Sequence, residues 1–149
     1  MKLYATPLSH FSRKVRILLD LYHAPYELID VGNLTDGGME KFGNNPLSRV
    51  PVLIDGSVWL TESDTIGGFI VDKYDAEDKY QVRSRVYADL NTRAILSGIM
   101  AEEVTLLIAQ RTSIPTESYR FFDDALDAIR NGLRWLECQA DQFGAVNPK

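Results

Sequence analysis

"NNPLSRVPVLIDGSVWLTESDTI", residues 44–66, carries two apolar runs on either side of Asp55-Gly56. Asp-Gly between β-rich runs is a strong hairpin signal, because both residues tolerate the positive φ that tight primed turns require. The pattern predicts strands over 50–54 and 57–60. Pro51 stands at the opening of the first of them, where its missing N–H is not needed. Beyond the hairpin, Ile66, Phe69, Ile70 and Tyr74 recur at helical spacing, which predicts an amphipathic helix capped by Thr61 or Ser63.

Toward the N-terminus, residues 2–6 read as a short strand with Leu3 and Ala5 on one face and Tyr4 on the other. Phe11, Val15, Leu18, Leu19 and Tyr22 then mark a helix stripe that Pro25 brings to an end. Residues 26–31 read as a second strand. A strand, a helix and a strand of these lengths form a βαβ unit with parallel strands and a right-handed crossover. Between that unit and the hairpin lies "GNLTDGGMEKFGNNP", a Gly- and Asn-rich loop with a short helical turn near Met39 to Phe42. The order is β-α-β, short helix, β-β-α, which is that of a thioredoxin-like α/β domain over residues 1–75.

Toward the C-terminus no strand pattern recurs. "DKYDAEDKYQVRSR", residues 72–85, is the most charged stretch and reads as a linker. Val86, Leu90, Ala94, Ile95, Val104, Leu107 and Ile108 predict one long helix or two abutting helices as far as Arg111, and Gly98 within them marks close packing or a bend. Pro115 interrupts the pattern. Tyr119, Phe122, Leu126, Ile129, Leu133 and Leu136 predict a further helix, so residues 82–149 read as an all-α region.

The bulk properties exclude several classes. With 149 residues, 45% hydrophobic and 25% charged, the chain has ordinary globular composition. A net charge of −5 leaves no general attraction to nucleic acid, and Arg13, Lys14 and Arg16 make too small a patch to supply one. No apolar run approaches a membrane span, and Pro7 interrupts any secretory core, so a cytoplasmic protein with no membrane association is expected. Cys138 is the single cysteine, which excludes a CxxC redox pair; it is expected to be a passive, partly buried thiol.

Three motifs carry a resemblance: "PLSHFSRKVR", "NNPLSRVPVL" and "LTESDTI". In this order, on a thioredoxin-like domain followed by helices, they are similar to those of the cytosolic glutathione S-transferase superfamily, in the manner of a Ser-type bacterial member with an incomplete helical domain. The resemblance implies that Ser9 contacts the glutathione sulfur and acts as the catalytic residue. It further implies that Phe11, Arg49, Val50, Pro51, Glu62 and Ser63 bind glutathione, that the Val50-Pro51 peptide is cis, and that no metal is needed. An electrophilic small molecule as second substrate, a detoxification role and a homodimer follow from the same resemblance. A non-enzymatic interaction or regulatory module of the same fold is the alternative.

Elementary chemistry agrees with these roles. A free thiol has a pKa of roughly 8.5, so the reactive thiolate must be stabilised. A helix N-terminus supplies free N–H groups and partial positive charge. The Ser9 hydroxyl adds a donor, Arg13 and Lys14 raise the local potential, and Ser12, nearer the helix start, is expected to do the capping. Glu62 suits the ammonium of the γ-glutamyl group, Ser63 with its N–H suits the carboxylate, and Arg49 suits the glycine carboxylate. His10 is expected to be a loop residue. Tyr87, Met100 and Trp135 could line an electrophile pocket, although such residues at helical spacing usually form core.

Overall fold

The computed structural model describes residues 1–142 as two compact units, divided between Arg83 and Ser84. The first unit contains β1 (Lys2–Ala5), α1 (His10–Leu21), β2 (Glu27–Asp30), a 3-10 turn (Met39–Phe42), β3 (Val52–Asp55), β4 (Val58–Thr61) and α2 (Ser63–Tyr74). The sheet order is β2-β1-β3-β4, with β1 parallel to β2 and antiparallel to β3, and β3 antiparallel to β4. This is the expected thioredoxin-like arrangement. The hairpin strands are shifted from the expected 50–54 and 57–60: pairing runs from Val52 with Thr61 to Asp55 with Val58, so the two-residue turn is Gly56-Ser57 rather than Asp55-Gly56, and Val50 and Pro51 lie outside the sheet.

The alternation in β1 buries Leu3 and Ala5, which join Leu53, Val15, Leu18, Leu19, Ile66, Ile70 and Val71 in one core between the sheet and the two helices. Each of the Val, Leu and Ile side chains among them, fully buried, contributes about 1.5–3 kcal/mol. On the opposite face of the sheet Phe42 is buried, and Gly43, in the left-handed region at φ +63°, lies close against the Tyr4 ring. Trp59 Nε1 donates to the Gly43 carbonyl at 2.7 Å and holds that turn to β4.

Helix α1 stops before Pro25 is reached. His23 takes φ +50°, its N–H bonds the Asp20 carbonyl, and the Ala24 N–H returns to Leu19 at 2.9 Å. This is a Schellman closure built on a non-glycine residue. The charged stretch after α2 is folded rather than extended. Asp75 Oδ2 accepts from the Tyr22 hydroxyl and from the Lys79 N–H, both at 2.8 Å, and Asp78 accepts from the Val82 and Arg83 N–H groups. Tyr80 and Val82 pack against the core of the first unit. Charge made this segment look like a linker, but its carboxylates serve as turn caps.

The second unit contains α3 (Tyr87–Arg111), a 3-10 turn (Thr116–Ser118), α4 (Arg120–Cys138) and a last 3-10 turn (Ala140–Gln142). Helix α3 is continuous. Ser113, at φ +58°, closes it in the same Schellman manner as His23 closes α1. Of the close packing or bend expected at Gly98, the packing is absent, since a Cβ there would meet nothing within 4 Å among the described residues; Gly132 is the glycine set against Ile95 and Ile99. Gly98→Ala therefore gains helix propensity without a clash, and thermal or urea unfolding should show a gain of about 0.5–1 kcal/mol. A loss of stability would mean that this face of α3 is occupied. Tyr87 and Trp135 are exposed and Met100 is half-buried, so none of the three is core; Cys138 is exposed rather than partly buried.

Candidate functional site

The register of the sheet brings the three motifs to one end. Tyr4, near the C-terminal end of β1, pairs with Val52 at the start of β3, and Val52 pairs with Thr61 at the end of β4. The chain therefore leaves β1 toward Ser9, enters β3 from Val50 and Pro51, and leaves β4 into Glu62 and Ser63, all at the same edge. Ligands of open α/β sheets bind outside such strand ends. The Val50-Pro51 peptide is cis, as expected.

Ser9 is the N-cap of α1. Its backbone is extended, at φ −77° and ψ 117°, and its Oγ accepts from the Ser12 N–H at 3.1 Å. The capping role expected of Ser12 thus belongs to Ser9. The turn that bonds Ser9 N–H to the Thr6 carbonyl lets the helix begin already at His10, so Ser12 falls within the first turn. Ser12 is fully buried, and its Oγ has no hydrogen-bond partner among the described residues. A hydroxyl offers one donor and two acceptor lone pairs. Ser9 spends only an acceptor on the cap, which leaves its O–H available. Ser9 keeps 8% of its surface exposed, whereas Ser12 at 0% is fully enclosed.

The cations near this helix start are less free than the sequence suggests. Lys14 Nζ bonds Asp64 Oδ1 at 2.6 Å, joining α1 to the first turn of α2. Its charge is thereby compensated by a carboxylate instead of adding to the local potential. Arg13 is exposed, and among the described residues its side chain makes a long 3.4 Å contact with the Pro7 carbonyl. Phe11 and His10 are half-buried in the first turn of α1, so His10 belongs to the helix rather than to a loop.

Glu62, not Thr61 or Ser63, caps α2. Its Oε2 accepts from the Asp64 and Thr65 N–H groups at 2.9 and 3.1 Å, and its Oε1 accepts from Ser63 Oγ at 3.2 Å. The residue sits at φ +73°, a conformation that costs a non-glycine residue of order 1–3 kcal/mol. The cap and the turn out of β4 hold it there. Glu62 remains exposed and Ser63 is buried. The first turn of a helix has no intrahelical acceptor for its N–H groups. Those of Asp64 and Thr65 are taken up by Glu62, and the Ser63 N–H is the helical one that precedes them.

Arg49 is exposed, and its side chain makes no ion pair among the described residues; its carbonyl accepts from Asn45 Nδ2 at 2.8 Å. The sequence marks Asn45-Pro46 as a turn-initiating pair, but the burial that makes the Asn45 amide organise the loop is visible only in the fold. The groups whose acidity is clearly shifted belong to other surroundings. Burial, the hydrogen bond to Asp75 and the neighbouring carboxylates push the Tyr22 phenol far up. Asp55, hydrogen-bonded to Lys73 beyond the hairpin turn, is held below the usual carboxylate range. No helix among the described residues is long and apolar enough to cross a membrane, and no cluster of His, Cys, Asp or Glu among them could hold a metal ion.

Residues 3–78 match the family described as glutathione S-transferase, N-terminal domain. The chain is 34% identical over 93 residues to a glutathione S-transferase of Triticum aestivum, covering 62% of this chain and 40% of the relative. It is 29% identical over 136 residues to glutathione S-transferase Z2 of Arabidopsis thaliana, covering 86% of this chain and 54% of that protein. A glutathione transferase homologue from Drosophila mojavensis, solved with bound glutathione, matches at 25% identity with a TM-score of 0.60, covering 92% of this chain and 64% of that one. The chain spans about half the length of the curated relatives it matches. The family match takes in all three segments that meet at the end of the sheet, and the chain belongs to the glutathione S-transferase superfamily.

Proposed function

We propose that this chain binds glutathione at the shared end of β1, β3 and β4 and adds its thiolate to an electrophilic small molecule. The observation that carries the proposal is the Ser9 hydroxyl, which caps α1 with a lone pair and keeps its proton to donate. The α1 N-terminus adds partial positive charge beside the sulfur. In this scheme the substrate supplies the nucleophile, so no protein base is needed. The Val50 backbone pairs with the cysteinyl portion of glutathione, and Phe11 and Pro51 border it. The Ser63 N–H takes the γ-glutamyl carboxylate, while Glu62 Oε1, with a lone pair to spare, takes the ammonium. Arg49 meets the glycine carboxylate.

Val86, the N-cap of α3, and Tyr87 and Leu90 in its first turn are exposed, which supports association of the chain as a homodimer. Calorimetric titration with glutathione, light scattering of the same sample and turnover of an activated aryl halide test the proposal together. Saturable binding with glutathione-dependent turnover is expected. Absence of binding would overturn the site, whereas binding without turnover would identify a non-enzymatic module of this family.

A further inference from the structure

We infer that Asn45 is a positioning residue that locks the Val50–Pro51 segment to the start of α2, so that the two halves of the site move as one. The inference rests on the proposed reading of these segments as a glutathione site. Asn45 is 1% exposed, and both polar atoms of its amide are hydrogen-bonded. Both Nδ2 protons are spent, one on the Arg49 carbonyl at 2.8 Å and the other on Thr61 Oγ1 at 3.0 Å, while Oδ1 accepts from the Leu47 N–H at 3.0 Å. A neutral amide has two donors to give, and here they go to two different elements.

The acceptors are what make this more than a local turn. Arg49 immediately precedes Val50, and Thr61 immediately precedes Glu62. The Leu47 bond alone would close an Asx turn, a common and purely local device. The Thr61 bond spans 16 residues in sequence and ties that turn to the end of β4. Val52 and Thr61 are already paired in the sheet, but the ladder stops there. Beyond that pair, the Asn45 side chain is the direct hydrogen-bonded link between the two segments among the described residues. Because it is buried, a lost partner is not replaced by water without cost.

Removing Asn45 itself risks unfolding the loop, so the test uses Thr61. Thr61→Val keeps the β-branched shape suited to a strand end and deletes only the acceptor that joins the segments. Thr61→Ser restores a hydroxyl. For Thr61→Val, native-state amide exchange should quicken together in residues 48–50 and 63–65, and the Kd for glutathione should rise about fivefold to tenfold, the lower range of coupling between two parts of a site. The melting temperature should stay within a few degrees, and Thr61→Ser should return exchange and Kd to the wild-type values. Glutathione retained with unchanged Kd and exchange in Thr61→Val, or no rescue by serine, would overturn the positioning role alone. A wild-type chain that does not bind glutathione would overturn the site reading and the positioning role with it.

Discussion

Ser9→Gly is expected to raise the thiol pKa of bound glutathione by about one to two units while leaving the fold almost as stable as before. Glycine is tolerated at an N-cap with a loss of only a few tenths of a kcal/mol, whereas alanine costs about 0.5–2 kcal/mol. The hydroxyl proton, by contrast, is lost equally in both variants. A donor to a charged acceptor is worth about 1.5–3 kcal/mol, and a pKa unit corresponds to about 1.4 kcal/mol. The sign follows from which form the bond favours: a donor stabilises the thiolate, so its removal lifts the pKa. Titration of thiolate absorbance with bound glutathione reads this directly, and turnover near neutral pH should fall in step. Ser12→Ala is the control. Its buried hydroxyl makes no hydrogen bond among the described residues, so its removal should leave the thiol pKa unmoved and stability equal or slightly higher. An unchanged pKa in Ser9→Gly would remove Ser9 from the chemistry.

Glu62 should separate binding from folding in the same way. Its carboxylate holds two N–H groups of α2 and one hydroxyl, so Glu62→Ala loses the cap and should cost about 0.5–2 kcal/mol of stability as well as glutathione binding. Glu62→Gln retains an amide oxygen that can accept from Asp64 and Thr65. Its stability should therefore stay close to wild type, while the lost charge weakens glutathione binding by about 1.5–3 kcal/mol, the worth of a hydrogen bond to a charged group. Paired calorimetry and thermal melts on the two variants decide the matter. If Glu62→Gln binds as tightly as wild type, the carboxylate serves only the helix.

These two residues also mark the boundary of what was legible in advance. Element order, a hairpin at Gly56 and the α1 stripe were readable because strand alternation, turn chemistry and helical period are short-range properties of the chain, although the turn falls on Gly56-Ser57, one residue later than the Asp-Gly signal placed it. The family motifs were readable for the same reason, being runs of contiguous residues. The assignment of caps was not. Ser9 and Ser12 are both reasonable caps by residue type, and only the turn from Thr6 decides which hydroxyl meets the first free N–H. Glu62 became a cap because the chain leaves β4 at a positive φ, a conformation that glutamate has no intrinsic preference for.

By itself, then, the amino-acid order determined the two-part architecture, the hairpin and the three segments from which a site could be built. The tertiary structure decided which groups in those segments are free. Lys14 is committed to Asp64, 50 residues away, and Asn45 to Thr61, 16 residues away. Gly98 packs against nothing, and the charged residues after α2 fold back on the first unit as caps. Each of these depends on sheet register and on how helices meet, which bring distant residues together. Composition and period carry no information at that range, because a hydrogen bond depends on a separation fixed to within a few tenths of an ångström between groups remote in sequence.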